Sequence, residues 1–296
     1  MTTIPEHGLL VLDKPRGPSS HQVTAWAGEI LGARVGHAGT LDPGVSGVLV
    51  VMIGNAVRLA PILLSEEKEY VAAIRLHGDV REESLRRAAA EFCGRIYQRP
   101  PRRSAVARNL RIRTVKALDV LEASERLAVL RITCDAGTYI RSLCHHLGLA
   151  LGCGAHMQEL RRVRSGIFSE EHAHTLHDLK DAAVCAGHGN SRHLAEMILP
   201  PETIAGGLPS LVIRDTAVDA LCHGAALAGV GVIRQDAFVR GEAVAVLTGK
   251  GQLVCIGEAI VSSTQVAPGQ TGLVAAPRTV FMRPGAYPKG WKTKEK

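Results

Sequence analysis

The sequence predicts an α+β chain of two domains, and three observations carry that reading. Strand-like and helix-like segments follow one another in mixed order, which argues against a regular parallel α/β sheet. From Leu199-Pro200-Pro201 to Pro209 the composition turns to Pro and Gly, as it does at a boundary between domains. Beyond that boundary, short apolar runs such as Glu242 to Leu247 and Leu253 to Ile256, punctuated by Gly249, Gly251 and Gly257, suggest a small β-barrel. The length of 296 residues agrees, since about 150 residues make a typical domain. The expected division is 1–205, 206–288 and a loose basic tail, 289–296.

Each element has a local reason. Gly8 to Leu12 reads as a short strand and Asp13-Lys14-Pro15-Arg16-Gly17-Pro18 as a turn. Ser20 is placed to cap a helix whose apolar positions Val23, Trp26, Ala27 and Ile30 share a face, and Gly32 ends it. A Gly-rich loop, Gly36 to Gly47, leads into Val48 to Ile53, whose unbroken apolar, β-branched content marks a buried strand. Tyr70 to Leu76 reads as a strand, Glu82 to Phe92 as a helix, and Leu127 to Cys134 as a strand leading to Gly137. Ile140, Leu143, Cys144 and Leu147 then follow helical spacing, with Thr138 as the expected cap.

Composition narrows the function classes. Lys and Arg number 35 against 28 Asp and Glu, a net charge of +7 that points to an anionic partner, either nucleic acid or an acidic membrane surface. At 46% hydrophobic and 21% charged, the chain is globular rather than disordered. No run approaches the ~20 apolar residues of a membrane helix, so no membrane association is expected. Met1 to Gly8 shows no basic region followed by an apolar one, which makes the cytoplasm the expected compartment. Seven cysteines form no CxxC and lie in apolar segments, as buried reduced thiols would. His172, His174 and His177 lack any completing ligand spacing and read as surface residues, so no metal is expected. No phosphate-binding glycine motif is present, and no nucleotide cofactor is implied.

Three segments could carry chemistry. In Gly36-His37-Ala38-Gly39-Thr40-Leu41-Asp42-Pro43-Gly44-Val45-Ser46-Gly47, four glycines let a backbone approach a ligand closely, and Pro43 restricts the backbone of Asp42. Asp42 is then either a posed acid or a carboxylate capping a turn. In Asp135-Ala136-Gly137-Thr138-Tyr139-Ile140-Arg141, the cation of Arg141 sits in a first helical turn, where the dipole disfavours it. Pairing with a carboxylate would account for it, and so would plain exposure to solvent. Nine arginines, at 99, 102, 103, 108, 111, 113, 161, 162 and 164, fit phosphate binding or a solvated face. Aromatic residues make up only 3%, which argues against extensive base stacking, although Tyr70 and Tyr139 could each stack on one base or lie in the core.

Together these segments resemble the TruB family of pseudouridine synthases. Gly36 to Pro43, followed by Gly47-Val48-Leu49, is similar to the family's catalytic motif. In matching order, Asp13-Lys14-Pro15-Arg16-Gly17-Pro18-Ser19-Ser20 resembles its first motif and Lys68-Glu69-Tyr70 its stacking-tyrosine segment. Gly137-Thr138-Tyr139-Ile140-Arg141-Ser142-Leu143 resembles its arginine motif and Leu160-Arg161-Arg162-Val163-Arg164-Ser165-Gly166 its late motif. Five ordered matches are far more specific than any one. Cys222-His223-Gly224-Ala225 and Leu247-Thr248-Gly249-Lys250-Gly251 are similar to a PUA domain, a small RNA-binding pseudo-barrel. Tyr97 to Val106, His145 to Gly148 and Gly154 to Met157 look like the archaeal Cbf and eukaryotic dyskerin branch, the catalytic subunit of box H/ACA ribonucleoproteins. The short connection from Gly78 to Glu82 lacks the RNA-gripping insertion of stand-alone bacterial enzymes. One departure is the seven residues before Gly8, a shorter lead than this branch usually carries, which bears on docking of the PUA domain.

The resemblance implies a pseudouridine synthase fold, with a central mixed, mostly antiparallel sheet, acting on rRNA with a guide RNA or on the T-loop uridine of tRNA. It implies neither cofactor nor metal. Asp42 would be the essential carboxylate, attacking the ribose or abstracting a ribose proton, and Arg141 would pair with it and hold it ionised and oriented. Tyr70 would stack on the flipped base and could pass a proton. Among substrate-binding residues, Leu160 would form an apolar wall, Lys14 would support the first motif, and His37 would help hold the flipped RNA, with Tyr139 beside them. The implied partners are substrate and H/ACA guide RNA, a small zinc-ribbon protein, a second small accessory protein and a kink-turn-binding protein. The rival reading is a non-catalytic RNA-binding scaffold, against which the intact Asp42, Tyr70 and Arg141 set argues.

Overall fold

The run Val48–Ile53 lies at the centre of the fold: in a computed structural model, which describes residues 6–99, 109–266 and 271–288, each of its side chains is at most 1% exposed. It belongs to β3 (Ser46–Gly54), which follows β1 (His7–Lys14), α1 (Ser20–Leu31) and β2 (Val35–Ala38). A short helix, α2 (Ala60–Ser65), leads to β4 (Lys68–Leu76), α3 (Glu82–Glu91), β5 (Gly94–Gln98), β6 (Arg111–Ser124) and β7 (Leu127–Cys134). Then come α4 (Ile140–Ala150), β8 (Ala155–Ser165), β9 (Phe168–Ser169), α5 (Leu176–Gly187), α6 (Arg192–Met197) and β10 (Ile198–Leu199). These strands share one sheet in the order β10-β1-β3-β8-β4-β7-β6-β5, with β2 on β3 and β9 on β8. Strand β4 is antiparallel to both β7 and β8, β6 is antiparallel to β5 and β7, and β3 runs parallel to β8. The sheet is therefore mixed and mostly antiparallel.

Helices α3 and α4 are amphipathic and bury their apolar stripes against this sheet. Leu85 and Ala89 of α3, and Ile140, Leu143, Cys144 and Leu147 of α4, join Ala72, Ile74, Leu130 and Ile132 of β4 and β7 in one apolar cluster. Each fully buried aliphatic side chain contributes about 1.5–3 kcal/mol, so this cluster fixes the base of α4 firmly. That matters because the first turn of α4 carries Arg141.

The chain divides into two units, one containing Leu10–Met52 and Ala60–Met197, the other Ile53–Leu59 and the chain from Ile198 on. The second unit holds β11 (Ser210–Ile213), α7 (Asp215–Cys222), β12 (Leu227–Ala228), β13 (Val232–Gln235), β14 (Ala243–Thr248), β15 (Leu253–Ala259) and β16 (Leu273–Val280). Its six strands form a nearly closed sheet ordered β12-β16-β15-β14-β11-β13, plugged by Val218 and Leu221 of α7. Among the described residues no helix is long and apolar enough to cross a membrane.

Several expectations need correction. The cap of α1 is Ser19, not Ser20, because Ser19 and Gln22 form a reciprocal capping box. The buried stripe of α1 is Ser20, Val23, Thr24, Ala27 and Leu31, while Trp26 is 42% exposed. Gly36 to Ala38 is strand rather than loop, since β2 pairs with β3. Thr138 does not cap α4: its hydroxyl donates to Asp135 O at 2.7 Å, and Tyr139 is the N-cap. Of the seven free cysteines, 134, 144, 222 and 255 are buried, but 93 and 185 are exposed on helix flanks. Burial pushes the thiols of Cys134, Cys144 and Cys255 up to about 12, so they are inert at neutral pH. Arg102, Arg103, Arg108, Pro100 to Val106 and the tail 289–296 lie outside the described residues.

Candidate active site

The loop between β2 and β3 is held from beneath. Asp42 opens a four-residue turn in which Val45 N donates to Asp42 O at 3.0 Å, with Pro43 at the second position where its fixed φ fits. Two outside groups pin this turn. Ser20 Oγ donates to Leu41 O at 2.9 Å and accepts from Leu41 N at 2.8 Å, locking the residue before Asp42 to α1. Lys14, 0% exposed, donates to Val45 O at 2.8 Å, Pro15 O at 2.9 Å and Pro43 O at 3.4 Å. A buried ammonium is tolerable because carbonyls replace its water. Burial lowers the Lys14 pKa, and the facing carboxylate of Asp42 opposes that shift.

Across the loop, Arg141 Nη2 donates to Asp42 Oδ2 at 2.9 Å, joining two segments that are 99 residues apart. Asp42 and Arg141 are 64% and 55% exposed, and a surface pair of this kind contributes no more than about 1 kcal/mol to stability. Its consequence is geometric: one carboxylate oxygen is engaged and the group is aimed at solvent. Helix α4 holds Arg141 in place through Tyr139, whose backbone N–H and C=O are both bonded to the side chain of Gln98, at 2.9 and 3.2 Å.

Tyr70 lies on β4, half-buried against the cluster that holds Leu130 and Ile132, and Arg162 of β8 is its cross-strand neighbour. Burial raises the Tyr70 pKa, and the Arg162 guanidinium beside it counters that rise. Arg162 is 1% exposed and donates to Val48 O at 2.8 Å and Gly39 O at 2.6 Å. It therefore supports the Asp42 loop and Tyr70 at once. Leu160, two residues earlier, is half-buried against the same cluster and faces Ala72 in register. Tyr139, the N-cap of α4, is half-buried.

His37 has both ring nitrogens engaged. Thr24 Oγ1 donates its only proton to Ser20 O at 2.7 Å, so His37 Nδ1 must be the donor in its 3.1 Å bond to Thr24. His37 Nε2 is then left to accept from Thr40 at 3.2 Å. Burial, then His21 and Arg162, lower its pKa and keep this neutral tautomer. His37 thus ties α1 to the loop.

The late arginine run departs from the phosphate-binding expectation. Arg161 is paired with Asp13 and Glu170, Arg164 with Glu67 and Glu69, and Arg162 is the buried support just described. His172 and His177 are exposed and His174 is half-buried, its backbone pairing with β1; among the described residues no group of His, Cys, Asp or Glu is arranged to hold a metal. Ser20, Gln98 and Arg162 are the contributors that sequence reasoning did not identify. Ser20 is hidden by the adjacent Ser19, Arg162 by its arginine neighbours, and nothing in the spacing marks Gln98.

A carboxylate aimed outward, an arginine on one of its oxygens and a tyrosine nearby can hold a polar substrate and move protons. Residues 29–140 match the N-terminal domain of TruB family pseudouridylate synthase, 141–205 the tRNA pseudouridylate synthase B C-terminal domain, and 209–281 the PUA domain. The chain is 47% identical over 293 residues to a probable tRNA pseudouridine synthase B of Methanosarcina barkeri, covering 98% of this chain and 87% of that protein. It is 49% identical over 288 residues to the protein of that name from Methanothermobacter thermautotrophicus, covering 96% and 89%. Among solved structures, a Cbf5-Nop10-Gar1 complex aligns at 47% identity with a TM-score of 0.89, covering 95% of this chain and 87% of that one. An H/ACA RNP bound to a substrate RNA containing 2′-deoxyuridine aligns at 45% identity with a TM-score of 0.88, covering 96% and 88%.

Proposed function

Because the chain belongs to the TruB family of pseudouridylate synthases and is an RNA pseudouridine synthase, we propose that Asp42, Arg141 and Tyr70 carry its reaction. The 2.9 Å bond between Arg141 and Asp42 is the observation that most supports this assignment. In the reaction the bond from uracil N1 to ribose C1′ breaks, the detached base turns, C5 bonds to C1′, and the C5 proton leaves while N1 gains one. The atoms balance without oxidation or reduction, so the step calls for positioning and acid–base groups.

Asp42 acts on the ribose, with Arg141 on one oxygen fixing the direction of the other. Tyr70 receives the flipped uracil and sits where its phenol can pass the C5 proton. Leu160 walls the pocket, and Lys14 keeps the loop at fixed height. His37 and Tyr139 line the approach for RNA. Residues 1–205 are assigned to catalysis, 206–288 to RNA binding through the PUA domain, and 289–296 to a basic tail. The likeness to the Cbf5-Nop10-Gar1 complex and the H/ACA RNP supports work with a guide RNA and small accessory proteins. The relatives named tRNA pseudouridine synthase B support action on tRNA. Seven free thiols fit a reducing compartment and hence the cytoplasm.

The test is tritium release from C5 of uridine in unmodified tRNA, first with the chain alone, then with accessory proteins and a matched guide RNA. Asp42→Asn is expected to bind RNA as wild type does and to release no tritium under either condition. Turnover by the chain alone would mark a tRNA modifier, and turnover only with the guide a ribonucleoprotein subunit. If wild type and Asp42→Asn are equally silent throughout, the catalytic assignment falls and a binding scaffold replaces it.

A further inference from the structure

We infer that Gln98 is a positioning residue for the reaction, setting the angle at which Arg141 meets Asp42. The inference rests on the assignment of those two residues to catalysis. Gln98 ends β5, is 2% exposed, and directs both ends of its amide to the backbone of one residue: its Oε1 accepts from Tyr139 N at 2.9 Å and its Nε2 donates to Tyr139 O at 3.2 Å. Tyr139 is the N-cap of α4, and its carbonyl also accepts the first helical bond, from Leu143 N at 3.0 Å.

An N-cap normally supplies a side-chain acceptor for its own first turn, and Tyr139 makes no such bond. Gln98 instead ties down the two peptide groups that flank Tyr139 Cα, where the helix starts. Arg141 lies two residues further, in the first turn, where the helix dipole opposes a cation. Left to itself the guanidinium would be pushed away from the helix axis. With both the N–H and the C=O of Tyr139 clamped, the direction in which Arg141 leaves the helix is set, and Asp42 is met at 2.9 Å. The clamp also joins edge strand β5 to the centre of the site. No spacing rule in the sequence would pair a glutamine at 98 with a backbone at 139.

The test is a double-mutant cycle on the full chain, read by single-turnover tritium release at saturating RNA under the condition in which wild type turns over. Gln98→Leu is expected to slow the saturated rate about 10²-fold, the order that a misplacement near 1 Å produces, with RNA affinity within about twofold of wild type. Gln98→Glu keeps the acceptor for Tyr139 N–H, loses the donor to its carbonyl, and should fall between the two. In an Arg141→Lys background the same Gln98 changes should cost little further, since the group they aim is already altered. A merely structural role would lower the melting temperature and leave the rate of the folded fraction alone, or give losses that add across the cycle; either result overturns the inference. If Gln98→Leu does not fold by circular dichroism, the cycle with Gln98→Glu decides. An Asp42→Asn chain that still turns over sinks the catalytic assignment, whereas a silent one beside an additive cycle sinks only the role of Gln98.

Discussion

Lys14, Lys68 and Arg162 are among the most buried side chains of the molecule, and each is a cation. A buried charge is costly unless carbonyls replace its hydration, which is how Lys14 and Arg162 are accommodated. Lys68 is less well provided: its Nζ donates to Leu63 O at 2.9 Å, with Arg162 adding repulsion and Glu66 offsetting it. Burial brings its pKa down from 10.5 to about 8. The folded chain therefore releases this proton before the unfolded chain does. Between about pH 8 and 10.5 the unfolded state holds more protons, so this group adds stability as pH rises through that window, and below it the full penalty is present. Lys68→Met should remove that slope. Urea unfolding of wild type and variant at intervals from pH 7 to 10.5 is expected to show their stability difference moving by on the order of 3 kcal/mol in favour of wild type. A constant difference would show that Lys68 keeps its charge inside the fold. Motif reading singles out Lys14, but not the burial of Arg162. An arginine in the run 161–164 looks the same whether its guanidinium meets solvent, Asp13 or Val48 O, because the choice is made by β8 lying beside β3.

The elements were legible where the reason for them is local. The strand Leu127–Cys134 and the helix beginning at Ile140 follow from side-chain periodicity, and Gly32 ends α1 in the left-handed conformation that glycine tolerates. Caps were less legible: two adjacent serines compete, and the capping-box spacing to Gln22 belongs to Ser19, which frees Ser20 to hold the loop through Leu41. The same holds for Thr138, whose hydroxyl turns back to Asp135 while Gln98 arrives from another strand. The Gly-rich loop offers room for a ligand, and at Gly47 the room is used by the protein itself. With φ +103°, Gly47 sits so close to β8 that an added Cβ would lie 2.1 Å from Arg162 O. Gly47→Ala would force β3 and β8 apart at the point where Arg162 supports the loop, besides straining the backbone. It is expected to cost more than about 2 kcal/mol and to depress turnover with it. Gly44→Ala, with open space around the Cβ, is the control for an alanine in the same loop. Equal melting temperatures for the two variants would mean that the strands can separate without loss.

At the scale of the whole molecule, the excess of +7 charges must be carried by cations that the fold does not use. Arg161 and Arg164 are each held by two carboxylates, Arg126 by Asp79, Arg86 by Glu82 and Arg16 by Glu159. These pairs are neutral or acidic to an approaching phosphate, except around Arg164, where Lys116 and Arg131 share Glu67 and Glu69 and leave one cation in excess. Arg34 is different: it is exposed, stands three residues before His37 on the approach to the Asp42 loop, and makes no ion pair among the described residues. Counterion release turns this distinction into a measurement, because the logarithm of the binding constant falls with the logarithm of salt by about 0.7–0.9 per phosphate contact. Arg34→Gln is expected to lower the salt slope of RNA binding by about that amount while leaving the melting temperature unchanged. Arg164→Gln is expected to do the reverse, lowering the melting temperature because Glu67 and Glu69 lose their shared partner, with the salt slope intact. Fluorescence anisotropy with a labelled substrate RNA across a salt series gives the slopes directly. Should Arg164→Gln reduce the slope and Arg34→Gln not, the late arginine run would be open to RNA in solution, and the pairing with Glu67 and Glu69 would have to break on binding.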